Sequence, residues 1–252
     1  MTSLGLENKV AIVTGGARNI GRAIVLELAR SGANVVIADI QHAKARKVAL
    51  EVERLKRRAL AVETDVRDKT QIARMVALAV EKFSRVDILV NNAAIVGFPT
   101  PIETLTVEHW DRMQEVSLRS AFLCAQAVLP SMKRLGKGKI INISSVVFWV
   151  GAKNASAYVA AKGGLIGLTR SLARDLGEHK INVNAITPGA VKTPAEVKIA
   201  TQEDIARIVN SQCLKRRVLP GDIARVALFL ASDLSDAMTG QTLNVDAGWA
   251  FH

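Results

Sequence analysis

The sequence predicts an α/β fold, a doubly wound parallel sheet with helices on both faces, formed as a single domain over residues 1–252. Three observations carry that expectation. Strand-like and helix-like segments alternate from the amino end, a glycine-bearing turn joins the first strand to the first helix, and a buried apolar run at 140–144 feeds a long helix. When each return crossing is made by a helix, consecutive strands run parallel and the helices cover both faces. A length of 252 residues, 49% of them apolar, is ordinary for one such domain.

In chain order, Lys9 to Val13 is an apolar strand, Thr14 to Gly21 (T-G-G-A-R-N-I-G) a turn, and Arg22 to Ser31 a helix. Asn34 to Ala38 is the second strand, closed by Asp39. A helix over 42–57, a strand from Ala59 to Val62, a helix over 69–83 and a strand from Val86 to Val90 follow. Gly15 permits the tight turn, Gly21 permits close helix packing, and the helix amino end attracts a pyrophosphate. Asp39 stands eighteen residues beyond Gly21 at a strand end, placed to accept hydrogen bonds from adenosine ribose hydroxyls. Its carboxylate repels a 2′-phosphate, so the expected cofactor is NAD rather than NADP.

Ile140 to Ser144 reads as a buried strand after the turn-prone Gly136-Lys137-Gly138, and Ala155 to Gly177 as a helix. Tyr158 and Lys162, at i and i+4, share a face of that helix. Ser145 precedes Tyr158 by thirteen residues, at the carboxyl end of the strand, the edge at which open parallel sheets bind ligands. A phenol near pKa 10 is a poor base at neutral pH; lowering it by about 3 units costs roughly 4 kcal/mol. An ammonium about 4 Å away, at an effective dielectric near 20, supplies on the order of 4 kcal/mol. The trio therefore predicts Tyr158 as acid and base, Lys162 as the charge that tunes it, and Ser145 as donor to the substrate oxygen. Beyond it, Pro220 to Ser232 reads as a helix with Asp222 as an amino-end charge, and Thr242 to Val245 as the last strand.

Composition narrows the alternatives. Cys124 and Cys213 are the only cysteines and the four histidines lack ligand spacing, so neither a disulfide framework nor a metal site is expected. The net charge of +11 could attract nucleic acid or an acidic protein. The densest basic run, Lys44 to Arg58, is interleaved with Val48, Leu50, Val52 and Leu55 and reads as a solvated helix face. Aromatic residues at 4% make a base-stacking platform improbable, and no nucleic-acid partner is expected. No apolar run reaches the roughly 18 residues of a membrane span, and Met1 to Lys9 lacks a signal-like core; a cytoplasmic protein without a membrane partner is expected.

The chain resembles the short-chain dehydrogenase/reductase family over its whole length. The resemblance rests on T-G-x-x-x-x-I-G at Thr14 to Gly21, Asp65-Val66, N-N-A-A at Asn91 to Ala94, I-S-S at Ile143 to Ser145, and Y-x-x-x-K at Tyr158 to Lys162. Pro188-Gly189 and G-Q-T-L-N-V-D-A-G at Gly240 to Gly248 complete it. It implies a Rossmann-like fold and a cofactor site built from Gly15, Arg18, Asn19, Ile20, Gly21, Asp39, Asp65, Val66, Asn91, Ala93, Tyr158, Lys162, Pro188, Gly189, Val191 and Thr193. Within that set, Asp65 and Val66 would contact the adenine, Asn91 would support the central strand, Lys162 would hold the nicotinamide ribose, and Thr193 would reach the carboxamide or pyrophosphate. Two departures stand out. Asn19 replaces a usual glycine, tolerable because asparagine accepts left-handed backbone. Ser117, in Gln114 to Leu118, falls where the family has an asparagine that holds a proton-relay water. Arg18 sits where NADP-using relatives often carry a basic residue, in conflict with Asp39.

On the substrate side, Ser145, Val147, Trp149 and Tyr158 are expected to line the pocket. The apolar Val146 to Val150 suits a hydrophobic or aromatic secondary alcohol or ketone. Ile95 to Pro101 is a second wall, and about 190–219 a substrate loop, with Lys198, Arg207 and Lys215 read as solvated surface. The family's habit implies a homo-oligomer, dimer or tetramer; the tail Trp249-Ala250-Phe251 fits either a subunit contact or packing on its own subunit. The resulting reading is an NAD(H)-dependent oxidoreductase acting on CH–OH. Its rivals are an NADPH-dependent 3-oxoacyl-thioester reductase, a sugar or polyol dehydrogenase, and a non-catalytic dinucleotide-binding sensor.

Overall fold

The computed structural model describes residues 4–96, 99–194 and 201–251. Its centre is one parallel seven-stranded sheet in the order β3-β2-β1-β4-β5-β6-β7. The strands are β1 (Val10–Thr14), β2 (Asn34–Asp39), β3 (Ala59–Glu63), β4 (Ile88–Asn91), β5 (Gly138–Ile143), β6 (Ile181–Pro188) and β7 (Thr242–Val245). Strands 1, 2, 4 and 5 are buried along their whole length, as both-face coverage requires. The order reverses between β1 and β4, paired at Ile12↔Leu89, the switch point at whose carboxyl edge open parallel sheets bind ligands.

The crossings are α1 (Asn19–Arg30), α2 (His42–Arg54), α3 (Lys69–Phe83), α4 (Val107–Gln114), α5 (Ser120–Leu135), α6 (Val147–Val150), α7 (Ser156–Leu176), α8 (Gln202–Ser211) and α9 (Pro220–Ala231). On one face, Ile24, Val25 and Leu28 of α1 and Ile223, Ala227 and Leu230 of α9 pack on Val13, Ile37 and Ile186. On the other, Ile72 and Met75 of α3, Val128 and Met132 of α5, and Leu176 of α7 pack on Ile12, Leu89 and Ile140. Asp68 caps α3 by accepting from the Thr70 and Gln71 N–H groups, and Thr201 and Asp204 cap α8 reciprocally.

Some sequence expectations are refined. The basic run lies on α2 with Ala45, Val48 and Val52 buried and Lys44, Arg46, Lys47 and Arg54 exposed, a solvated face. Leu50 and Leu55 do not join its core stripe; they are 55% and 36% exposed. Asp222 holds the start of α9 by accepting from the Leu219 N–H (2.8 Å) and pairing with Arg216 and Arg225. Of the expected substrate loop, residues 195–200, Lys198 among them, lie outside the described residues, as do Gly97 and Phe98 of the second wall. Arg207 pairs with Asp204, and Lys215 donates to the Asn210 carbonyl at 2.6 Å, both on the surface. Phe251 is 81% exposed, so the tail's last described residue does not pack on its own subunit. Among the described residues no helix is long and apolar enough to cross a membrane, and no His/Cys/Asp/Glu cluster could hold a metal.

Candidate active site

Because every strand is parallel, the landmarks that follow β1 to β6 all emerge at one edge. The turn after β1 is built to let something lie close to its backbone. Gly15 has φ +63°, and a Cβ there would stand 3.0 Å from Ala93 Cα. A Cβ on Gly21 would stand 2.1 Å from the Gly15 carbonyl oxygen, which no side chain could relieve. Asn19 takes φ +48°, the left-handed geometry asparagine tolerates. No side chain caps α1: its N-cap, Arg18, is extended and exposed, and the Arg18 side chain makes no capping bond. The first amides of α1, from Asn19, Ile20 and Gly21, are thus left for an anion.

Asp39, buried at the end of β2, binds the turn itself: it accepts from the Ala17 N–H (3.1 Å) and the Gln41 N–H (2.9 Å). At the end of β3, Asp65 is engaged by Arg67, which holds its carboxyl below the usual carboxylate range, and Val66 is buried. After β4, Asn91 donates to Asn142 Oδ1 at 2.9 Å, and Asn142 donates to Thr169 Oγ1 at 2.9 Å. That buried column ties β4, β5 and α7 together. The loop after β6 is drawn over the sheet edge: Gly189 N–H donates to the Val245 carbonyl, and a Gly189 Cβ would stand 2.7 Å from Asp246 Cβ. The Val146 N–H donates to the Pro188 carbonyl, Val191 bridges Val218, and Thr193 is half-buried. A positive-φ turn too tight for any Cβ, an uncapped helix end and a carboxylate at the second strand's tip fit a dinucleotide.

Ser145, Tyr158 and Lys162 meet at the edge of β5. Lys162, 2% exposed, donates from Nζ to the Ile143 carbonyl at 2.8 Å, and Ser144 Oγ donates to the Lys162 carbonyl at 2.7 Å. Helix and strand are therefore locked at the two residues that precede Ser145. Lys162 Nζ lies 5.7 Å from the centroid of the Tyr158 ring, and the Ser145 side chain is hydrogen-bonded to the Tyr158 phenol. Here the structure corrects the sequence-based estimate. The charge of Lys162 does not by itself set the phenol: burial raises the Tyr158 pKa above its ordinary value, opposed by Ser145. Burial also pushes Lys162 down to about 8, which leaves it largely cationic at neutral pH.

Beside Tyr158 is a cavity of about 190 Å³ with largely apolar walls, among them Val96, Leu105, Met113 and Val147. Of the expected pocket residues, Val147 and Tyr158 line it, and Ser145, buried just past the end of β5, does not. Trp149 does not: Val147 to Val150 form one helical turn, and the Trp149 ring packs edge-to-face on Phe148 with centroids 4.7 Å apart. Residues one and three along a turn face different ways, so an apolar run there cannot all wall one cavity.

Ser117 sits in a π turn, Glu115–Arg119, between α4 and α5. The extra residue frees the Val116 carbonyl, which accepts from Ser120 Oγ at 2.7 Å. Ser117 is buried, does not line the cavity, and its hydroxyl donates to Met113 Sδ at 3.7 Å. The π turn packs directly on α7, with Leu118 Cδ2 2.6 Å from where a Gly164 Cβ would stand.

Two groups escaped the sequence reading. Asn92 donates to the Thr14 and Gly15 carbonyls at 2.9 and 3.0 Å and clamps the glycine turn; the N-N-A-A motif was the available signal. Gln114 donates to the Ala157 carbonyl at 2.9 Å and braces α4 against the start of α7, with no sequence signal.

Comparison with known proteins adds four likenesses. A sequence model of the family described as enoyl-(acyl carrier protein) reductase matches residues 15–250. The probable galactose dehydrogenase of Rhizobium meliloti (strain 1021) is 40% identical over 245 residues, covering 96% of this chain and 95% of that protein. A D-beta-hydroxybutyrate dehydrogenase of the same organism is 38% identical over 254 residues, covering 96% and 98%. Among solved structures, a 7 alpha-hydroxysteroid dehydrogenase complexed with NADH and 7-oxo glycochenodeoxycholic acid is similar at a TM-score of 0.95 and 35% identity, covering 98% of this chain and 96% of that one.

Proposed function

This chain belongs to the short-chain dehydrogenase/reductase family, and we propose that it interconverts a secondary alcohol and a ketone with NAD(H), on a substrate whose body is largely apolar. The observation that carries the reading is the meeting of Ser145, Tyr158 and Lys162 at the edge of β5, with Tyr158 also lining an apolar cavity. A nicotinamide dinucleotide, held by the turn at Gly15 to Gly21, by Asp39, and by the edges at Asn91, Ala93 and Pro188 to Thr193, would supply the hydride acceptor or donor. Asp39 supports NAD: a buried carboxylate already holding the turn would face a 2′-phosphate with little solvent to screen the repulsion. The exposed Arg18 favours the second reading, a 3-oxoacyl-thioester reductase using NADPH.

In the oxidising direction the Tyr158 oxygen takes the hydroxyl proton of the substrate as the carbinol hydrogen leaves with its electron pair. Ser145, beside that phenol, would turn its hydroxyl to donate to the substrate oxygen and fix its position. Lys162 contributes its charge at 5.7 Å. Burial works against the phenolate, and an oxidised nicotinamide, when bound, would supply positive charge that favours it. Ser117, in the π turn packed on α7, is the group we assign to passing the proton onward. The exposed Ile102, Val107, Trp110, Phe122 and Phe251 support self-association, and the absence of any membrane-length helix among the described residues is consistent with the expected cytoplasmic location.

The test is the initial rate of NADH formation on aryl-alkyl, aliphatic, hydroxyacyl and polyol alcohols, repeated with NADP⁺. Turnover of the apolar members with NAD⁺ is expected. A preference for NADPH and acyl thioesters would select the second reading. Tight NADH binding without turnover of any member would favour a sensor.

A further inference from the structure

The cavity beside Tyr158 carries charge of one sign. No aspartate or glutamate lines it, and its one charged lining residue is Lys153, on the loop between α6 and α7, five residues before Tyr158. Several basic groups elsewhere are engaged by acids: Lys9 by Asp233, Lys139 by Asp236, Arg216 by Asp222. Lys153 is exposed and pairs with no acid among the described residues. Its loop is nevertheless held in place. Asn154 takes φ +58°, and its carbonyl accepts from the Thr100 N–H at 2.7 Å, across from one wall of the cavity to the other. His109 and Asn154, both lining residues, add polar groups.

We propose that the substrate is a hydroxy or oxo acid. Its apolar body lies against Val147 and Met113, its carbinol or carbonyl faces Ser145 and Tyr158, and its carboxylate sits at the mouth, paired with Lys153. A neutral apolar alcohol would gain nothing from an ammonium fixed at the rim. A carboxylate gains an ion pair in a partly screened setting, between the weak exposed pairs and the strong buried ones. This inference rests on the dehydrogenase reading above and narrows its substrate class.

The experiment compares short 3- and 4-hydroxy acids with their primary carboxamides, which match them in shape without the charge. Wild type, Lys153→Met and Lys153→Arg are assayed with NAD⁺, beside neutral secondary alcohols. Wild type is expected to prefer the acids about tenfold in kcat/KM, equivalent to about 1.4 kcal/mol, mostly through KM. Lys153→Met should abolish the preference by lowering kcat/KM on the acids about tenfold relative to the carboxamides, and Lys153→Arg should restore most of it. Added salt should shrink the preference in wild type and in Lys153→Arg, and change nothing in Lys153→Met. Equal use of acids and carboxamides by wild type, or an acid preference that survives Lys153→Met, would overturn the proposal. Failure to oxidise any compound, neutral alcohols included, would overturn the dehydrogenase reading instead.

Discussion

Replacing Lys162 by methionine isolates what its charge does. The Lys162 ammonium lies 5.7 Å from the Tyr158 ring centroid. At an effective dielectric near 20 an ammonium within about 6 Å of a phenolate is worth about 3 kcal/mol, or about two pKa units on the phenol. The acid limb of kcat/KM for alcohol oxidation, which reports the base in the free enzyme, should therefore move up by about two units in Lys162→Met. At neutral pH the rate should fall about a hundredfold on this account alone. Stability should respond with a sign of its own. Burial depresses the lysine to about 8 from 10.5, so its stabilising contribution is complete above pH 10.5 and is lost as pH falls through 8. Below that, wild type carries the whole cost of the buried charge, about 3 kcal/mol at 1.36 kcal/mol per unit, offset in part by the bond to the Ile143 carbonyl. Methionine has no such titration, so the difference in unfolding free energy should shift toward wild type as pH rises from 8 to 10.5. An acid limb that stays in place in a folded Lys162→Met would refute the claim that this charge tunes Tyr158.

Three further expectations follow from the cofactor turn and the relay. Gly21→Ala puts a Cβ 2.1 Å from the Gly15 carbonyl; NADH binding by fluorescence titration should weaken at least tenfold, and unchanged affinity would show that the turn does not hold the cofactor. Asp39→Asn removes the negative charge but keeps an acceptor for the Ala17 N–H; the NADP⁺/NAD⁺ ratio of kcat/KM should rise about tenfold or more, and an unchanged ratio would contradict the assignment. Ser117→Ala should lower kcat about tenfold if the hydroxyl relays a proton, and a loss under twofold would reduce it to a wall residue behind Met113.

What was legible in the sequence was local. The alternation of strands and helices, the turn at Gly15 to Gly21, the acid at Asp39 and the Tyr158–Lys162 spacing are short-range signals, and each element bound they implied lies within a few residues of the observed one. The helices over Val107–Gln114 and Ser120–Leu135 and the strand Ile181–Pro188 were not read at all. The two helices are interrupted by the π turn and carry Pro130 inside α5, which blurs their periodicity. The pocket was misjudged where orientation mattered: five apolar residues from Val146 to Val150 gave no sign that a single helical turn sends Val147 to the cavity and Trp149 to Phe148. The direction of the Tyr158 shift also lay beyond the sequence, since it depends on how far the fold buries the phenol. The Asn91–Asn142–Thr169 column joins three elements far apart in the chain, so only the fold reveals it.

The most direct test of the central claim is Tyr158→Phe, which removes one oxygen and leaves the ring. Single-turnover oxidation of the best alcohol by wild type and mutant, each saturated with NAD⁺, should show a loss of about a thousandfold, within the range for a lost acid–base group. NADH affinity should stay within about threefold of wild type. A mutant that keeps more than a tenth of the wild-type rate would contradict the assignment of Tyr158 as the proton acceptor.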